Sequence, residues 1–333
     1  MWMQRALDLA TRGWRTVAPN PMVGCVLVNA DGKFLAEGWH QRPGGPHAEI
    51  DAIDAIPEDR LSELQGATCY VSLEPCSHQG RTPPCANRLV QARVARVVIA
   101  ARDPNPQVNG AGIQMLRNAG IQVEVGLLGA ISQEINARFY TNVLEQRPWI
   151  QLKWAQSADG YMDPRPPGHL DIQPGGIAIS APWSQLLTHQ MRSSFHSILV
   201  GRRTAELDLP QLTNRHAPGE SPQKWVIDSD CRMPTDHPFF QQGGRRMPLG
   251  GLNSLWTNHQ MHSLMIEGGR ETLERWMKEK PVDEIIIFEH PAKKLGSGLP
   301  APAIPKSFSL ERKIQLQNNF VKCMRNPHSF YGK

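Results

Sequence analysis

The sequence predicts two successive α/β domains, and three observations predict them. The chain has 333 residues, more than one hydrophobic core usually organises. Helix and strand signals alternate through the first 145 residues, the rhythm of a sheet with helices on its faces. After Arg147-Pro148 the rhythm restarts with a new apolar strand, WIQLKWAQS, so the boundary falls near residue 146.

In the first domain, residues 1–145, MWMQRALDLATRGWRT predicts an amphipathic helix over about 3–12 and lacks the uninterrupted apolar core of a signal peptide. VGCVLVNADGKFLAEGW reads as a hairpin around Asp31-Gly32. HAEIDAIDAI has the length and composition of a helix, ATCYVSLEP predicts a strand, CANRLVQARV a helix and VARVVIAA a buried strand. The loop DPNPQVNGAG precedes another helix and the short strand IQVEVGL, and AISQEINARFYTNVLEQ predicts one closing helix. In the second domain, 146–333, further strands are predicted at SILVG, KWVIDS, SLMIEGG and DEIIIFE, with helices at SQLLTHQMRSS and RETLERWMKE. The stretch 229–261, rich in Gly, Pro, Asn and Gln, gives no pattern, and no internal repeat is found.

Composition narrows the function class. At 40% hydrophobic and 20% charged the chain is ordinary for a globular protein, and its charge of +5 comes from scattered side chains. No basic block marks a nucleic-acid surface, and no apolar run nears the ~20 residues that span a bilayer. Six cysteines are too few for a disulfide scaffold of this size, which points to reduced thiols in the cytoplasm.

Two of those thiols lie in LEPCSHQGRTPPC, downstream of HAEIDAI. His47, Cys76 and Cys85 supply three ligands for zinc, and a catalytic zinc typically keeps its fourth position for water. Cys85 opens a helix, where free N–H groups favour a thiolate. Glu49 argues for chemistry: a structural site needs no carboxylate there, whereas hydrolysis needs a proton shuttle. H-x-E followed by P-C-x-x-C is the signature of zinc nucleobase deaminases, and here eight residues, not two, separate the cysteines. A structural zinc and ordinary buried thiols are the alternatives at this stage.

Asn20-Pro21, Gly38-Trp39-His40, PHAE, LEPCSHQGRTPPC and DPNPQVNGAG together resemble the deaminase domain of the bifunctional RibD family of riboflavin biosynthesis. The resemblance implies a cytidine-deaminase-like three-layer α/β/α domain that deaminates a pyrimidine carrying a phosphoribosylamino group. It also implies that Asn20 and His40 line the pyrimidine pocket, with His78 and Arg81 in the adjoining loop.

The second domain of that family resembles dihydrofolate reductase and reduces the ribosyl group of the deaminated uracil to ribityl with NADPH. The resemblance places Lys153 and Ala155 of WIQLKWAQSADGYM near the junction of cofactor and substrate, and Thr204 and Asp208 after SILVG. It puts Leu212 and Arg215 of PQLTNR, and Arg192, Gly176 and Glu267, on the substrate. Guanidinium forks suit a substrate phosphate. Ser229, Gly268, Gly269, Arg270 and Ala178 fall on the cofactor side, and the Gly-Gly turn presents N–H groups to a phosphate. Lys153 and Asp208 are the candidates for managing charge during hydride transfer. A homodimer is implied by the resemblance alone.

The second domain departs from the family pattern. GGIAIS stands for G-E-S-x-W-I-T, with Ala178 where tryptophan is common. The preceding DPRPPGHLDIQPG is an unusually proline-rich insertion, and Leu209 replaces an acidic residue. These changes bear on cofactor affinity more than on fold, and leave an impaired reductase as one alternative. A nucleic-acid or free-base deaminase with an accessory binding domain, and a zinc-stabilised binding protein, are the others.

Overall fold

The computed structural model describes all residues except 78–83, 107, 175–177, 180, 248–250 and 327–333. The chain divides into two compact units, Met1–Glu145 and Gln146–Lys333.

The first unit runs α1 (Trp2–Ala10), β1 (Gly24–Val28), β2 (Phe34–Trp39), α2 (Ala48–Asp54), β3 (Thr68–Leu73), α3 (Cys85–Gln91), β4 (Arg96–Ala101), α4 (Ala111–Asn118), β5 (Gln122–Val125), α5 (Gly129–Ile135) and α6 (Ala137–Glu145). Its strands form one sheet in the order β2-β1-β3-β4-β5. β1 is antiparallel to β2 and β3, while β3, β4 and β5 are parallel. Side chains of a strand alternate between faces, and here each face closes a core. Cys25, Leu27, Val97 and Ile99 pack with Ala52 of α2, Leu89 of α3 and Leu116 of α4. Val26, Val28, Val98 and Ala100 meet Met3, Ala6 and Leu7 of α1, which recur at helical spacing. The domain is therefore three-layered, α/β/α.

The single closing helix expected over 130–146 is instead two, α5 and α6, broken at Asn136. The Asn136 side chain is buried, accepts from the Met22 N–H at 2.7 Å and donates to the Met22 carbonyl at 2.9 Å. An amide fixed in this way competes with helix continuation, and its partner is 114 residues away.

The second unit runs β6 (Trp149–Ser157), β7 (Tyr161–Asp163), α7 (Pro182–Arg192), β8 (Ser197–Gly201), α8 (Arg202–Asp208), β9 (Gln223–Ile227), α9 (Pro238–Gln241), β10 (Arg245–Arg246), α10 (Gly251–His259), β11 (Ser263–Glu267), α11 (Arg270–Glu279), β12 (Glu284–His290), β13 (Leu299–Pro300), β14 (Ser309–Leu316) and β15 (Asn319–Arg325). Eight strands pair in the order β10-β9-β8-β11-β6-β12-β15-β14. Those from β10 to β12 are parallel, and β15 and β14 close one edge antiparallel. Ile150, Leu152 and Trp154 of β6 join Leu199, Ile266, Leu273, Ile285 and Ile287 in the core. Alternation turns Gln151, Lys153 and Ala155 to the opposite face. The patternless stretch 229–261 supplies α9, α10 and the short β10, which extends the parallel sheet.

Candidate active site

In the first unit, three elements bring the metal-type side chains together. His47 caps α2, Cys76 follows β3, and Cys85 is the first residue of α3. Their ligand atoms all lie within 4.8 Å of one another. His47 Nδ1 is 3.5 Å from Cys76 Sγ and 3.3 Å from Cys85 Sγ, and the Cys85 N–H donates to Cys76 Sγ at 3.3 Å. α2 can approach β2 closely because position 38 is glycine: a Cβ there would lie 2.4 Å from the Ala52 nitrogen. The Trp39 N–H donates to Asp51 at 3.0 Å and pins the same approach.

The donor set fits zinc. One nitrogen and two sulfurs within this span match its usual ligands, and three protein ligands leave one position open. Cys76 is held down to about 4, first by the Cys85 thiol hydrogen bond and then by His47, while the adjoining Cys76 pushes the Cys85 thiol up. A cation held by Cys76 and Cys85 would remove that conflict by favouring both thiolates.

Glu49 lies in the first turn of α2 and is 3% exposed. Burial pushes its carboxyl up to about 7, and the Cys76 thiolate adds to the rise. His40 is also buried; its Nδ1–H donates to the Pro46 carbonyl at 2.9 Å, which leaves Nε2 to accept from the Asn20 amide at 3.0 Å. Its ring stands edge-on to His47, with centroids 5.4 Å apart. Asn20 and His40 are thus brought to the metal-type cluster. His78 and Arg81 lie outside the described residues.

In the second unit the candidate residues gather at the carboxyl ends of parallel strands, where open α/β sheets bind ligands. Lys153 of β6 pairs in register with Glu267, the last residue of β11. Lys153 Nζ is 3.7 Å from Glu267 Oε2. Arg192, at the end of α7, forks onto Glu267 with both bonds at 2.9 Å, and its Nη1 donates to the Thr213 carbonyl at 3.2 Å. The fork expected to hold a phosphate is thus engaged by a carboxylate. Burial pushes Glu267 up, but Arg192 and Lys153 outweigh it and hold the carboxyl at about 2.

Arg215 is exposed, with Nη1 3.4 Å from Thr213 Oγ1 and its backbone N–H on His189 Nδ1 at 3.3 Å. Burial, then Arg192 and Arg215, lower His189 to about 4, so it accepts as a neutral ring. Leu212 is buried, and both Leu209 and Leu212 hold left-handed backbone at φ 42° and 52°. Thr204 and Asp208 lie on α8, which follows β8. The Gly269 N–H, expected to face a phosphate, donates to Thr204 Oγ1 at 3.0 Å. Gly268 precedes it; Arg270 opens α11 and pairs with Glu274 at 2.7 Å. Ser229 is exposed in the turn after β9, Ala155 lies on β6, and the Ala178 carbonyl accepts from Lys293 at 3.0 Å. Gly176 lies outside the described residues.

A family model for the cytidine and deoxycytidylate deaminase zinc-binding region matches residues 1–101, and one for the RibD C-terminal domain matches 148–318. The chain is 35% identical to the riboflavin biosynthesis protein RibD of Aquifex aeolicus over 327 residues, covering 90% of this chain and 88% of that one. It is 37% identical to the Escherichia coli protein over 337 residues, covering 89% and 88%. The chain belongs to the RibD family. Among solved structures, the RibD-type deaminase/reductase of Thermotoga maritima superposes with a TM-score of 0.83 at 30% identity, covering 98% of this chain and 97% of that one. Acinetobacter baumannii RibD superposes with a TM-score of 0.82 at 31% identity, covering 97% of each. Similarity to RibD over both halves supports the bifunctional reading over a deaminase with an accessory binding domain.

Sequence reasoning missed Glu74, directly before Pro75-Cys76. It is buried, and its carboxylate accepts from the N–H groups of Gly110 at 3.0 Å, Gly112 at 3.1 Å, Ile113 at 3.3 Å and Asp103 at 3.4 Å. The signal was present as an acid beside the metal-type cysteine, with the glycine-rich loop it holds lying 36 residues downstream. Among the described residues, no helix is long and apolar enough to cross a membrane.

Proposed function

We propose that His47, Cys76 and Cys85 hold zinc and that Glu49 is the proton shuttle of a hydrolytic deamination. The substrate is a diaminopyrimidine bearing a phosphoribosylamino group. The observation that carries this is one buried carboxyl in the first turn of the helix whose cap is His47, with three zinc-type ligand atoms within 4.8 Å of one another. Zinc, when bound there, supplies the Lewis acidity that lowers the pKa of water toward neutrality. Glu49 takes a proton from the attacking water and returns it to the departing amine; a carboxyl raised toward neutrality serves both steps. His40, with its tautomer fixed by Pro46, keeps an acceptor nitrogen, and the Asn20 amide is held beside it for the pyrimidine edge.

The second domain then reduces the ribosyl group of the deaminated product, with NADPH supplying the hydride. Lys153, Glu267 and Arg192 form the charged floor of that site, and Arg215 is the exposed cation for the substrate phosphate. Thr204 and Asp208 on α8, with the Gly268-Gly269 turn, face the cofactor.

Glu49→Gln tests the first assignment. It leaves zinc content and the melting profile at parent values while ammonia release falls by at least about a hundredfold. Loss of zinc or of fold in that variant would instead assign Glu49 a structural role.

A further inference from the structure

The proline-rich insertion after β7 brings a guanidinium to the second site. Arg165 lies two residues past β7, and its side chain is 12% exposed. Its Nε lies 2.9 Å and 3.1 Å from the two Asp163 oxygens, and Nη2 lies 2.5 Å from Oδ2. The same Nη2 reaches Asp208 Oδ1 at 3.3 Å, and Nη1 donates to the Asp171 carbonyl at 3.0 Å. Two further bonds fasten the insertion to α8: Arg203 Nη2 donates to the His169 carbonyl at 2.6 Å, and the Gln173 N–H donates to the Leu207 carbonyl at 2.7 Å.

We propose that Arg165 is a positioning residue for the reduction, orienting Asp208 and keeping it ionised while it ties the segment 164–173 to α8. The inference rests on the reading of Asp208 as a group of the reductase site. Burial raises the Asp208 carboxyl, and Asp163 opposes its ionisation further. The groups facing it that oppose that rise are Arg165, just past β7, and His169 of the insertion. A planar fork spans both carboxylates and still spares an N–H for a carbonyl, which a lysine ammonium on a flexible stem does not reproduce.

The test compares Arg165→Ala, Arg165→Lys and Asp208→Asn in the full-length chain, following ammonia release and NADPH oxidation per folded molecule. Arg165→Ala leaves ammonia release unchanged and lowers kcat for NADPH oxidation by about tenfold, the effect of a misplaced site group. Its acid limb moves to higher pH by roughly one unit, because an uncompensated buried carboxyl ionises later. Arg165→Lys, which keeps the charge, restores the acid limb but not the full kcat. A lower melting temperature with kcat and acid limb unmoved shows a merely structural residue and overturns the proposal. An impaired Asp208→Asn beside a parent-like Arg165→Ala overturns the proposal alone. A parent-like Asp208→Asn removes the reading of Asp208 and the proposal with it.

Discussion

Glu267 sits between two cations that burial alone makes costly. It accepts both arms of Arg192 at 2.9 Å and lies 3.7 Å from Lys153 Nζ. The pair of cations holds its carboxyl at about 2 against an ordinary value of 4.5. A carboxyl depressed on folding contributes stability that is present above its unfolded value and lost as pH falls through the folded one. The difference amounts to about 3 kcal/mol at neutral pH. Glu267→Gln leaves Arg192 and Lys153 buried without their anion, so the unfolding free energy of residues 146–333, measured by urea titration, falls by a similar amount at pH 7. The gap between parent and variant closes between about pH 5 and pH 2, as the parent carboxyl protonates. A gap constant over that range would show that Glu267 is not the ionised partner. At this scale the residue types were legible in the sequence: the histidine of H-A-E, the cysteine of P-C and the helix-opening cysteine are the three side chains that the fold gathers within 4.8 Å, and Glu49 is buried in the first turn of the helix that His47 caps. The pairings were not. Arg192 reads as a phosphate ligand because Glu267 lies 75 residues away, and only the pairing of β11 with β6 brings that carboxylate beside Lys153.

Among the elements, α4 and the loop before it carry the consequences of Glu74. A buried carboxylate accepting four backbone N–H groups fixes where α4 begins, and the residues after it are Pro75 and the metal-type Cys76. Gly112, in the first turn of α4, is the closest approach: a Cβ there would lie 2.0 Å from the Pro75 carbonyl oxygen. Backbone cannot yield as a flexible side chain does, so Gly112→Ala pushes α4 away from Pro75. We expect a loss of about 1–3 kcal/mol in the first unit, typical of overpacking, with reduced zinc content measured by atomic absorption on purified protein. Parent-like zinc together with that loss of stability would confine the effect to α4. Elements with a strong local signature were readable: the hairpin at Asp31-Gly32, β6, β8 and α11 follow from apolar runs and turn residues. β14 was not, since nearly every residue in it is exposed and SLERKIQL leaves no buried face for the sequence to mark. The break at Asn136 was missed for the opposite reason, because it is imposed by a distant backbone contact and no local breaker encodes it.

For the whole molecule, the length of the chain follows from its having two cores to close. In the first unit one cluster lies on each face of β2-β1-β3-β4-β5, and in the second a cluster built on β6 joins β8, β11 and β12. A ligand that binds only the native state stabilises the cooperative unit containing its site. The zinc-type ligands all come from the first unit, and the residues assigned to NADPH all come from the second. Calorimetry of the full-length protein should therefore resolve two transitions. A zinc chelator such as dipicolinate lowers the transition of residues 1–145 and stops ammonia release, while NADPH oxidation on supplied deaminated substrate continues. NADPH at about one hundred times its Kd stabilises residues 146–333 by about 2.7 kcal/mol and leaves the other transition in place. A single transition that responds to both reagents would mean that the two cores melt as one cooperative unit, and loss of the metal would then cost the reduction as well as the deamination.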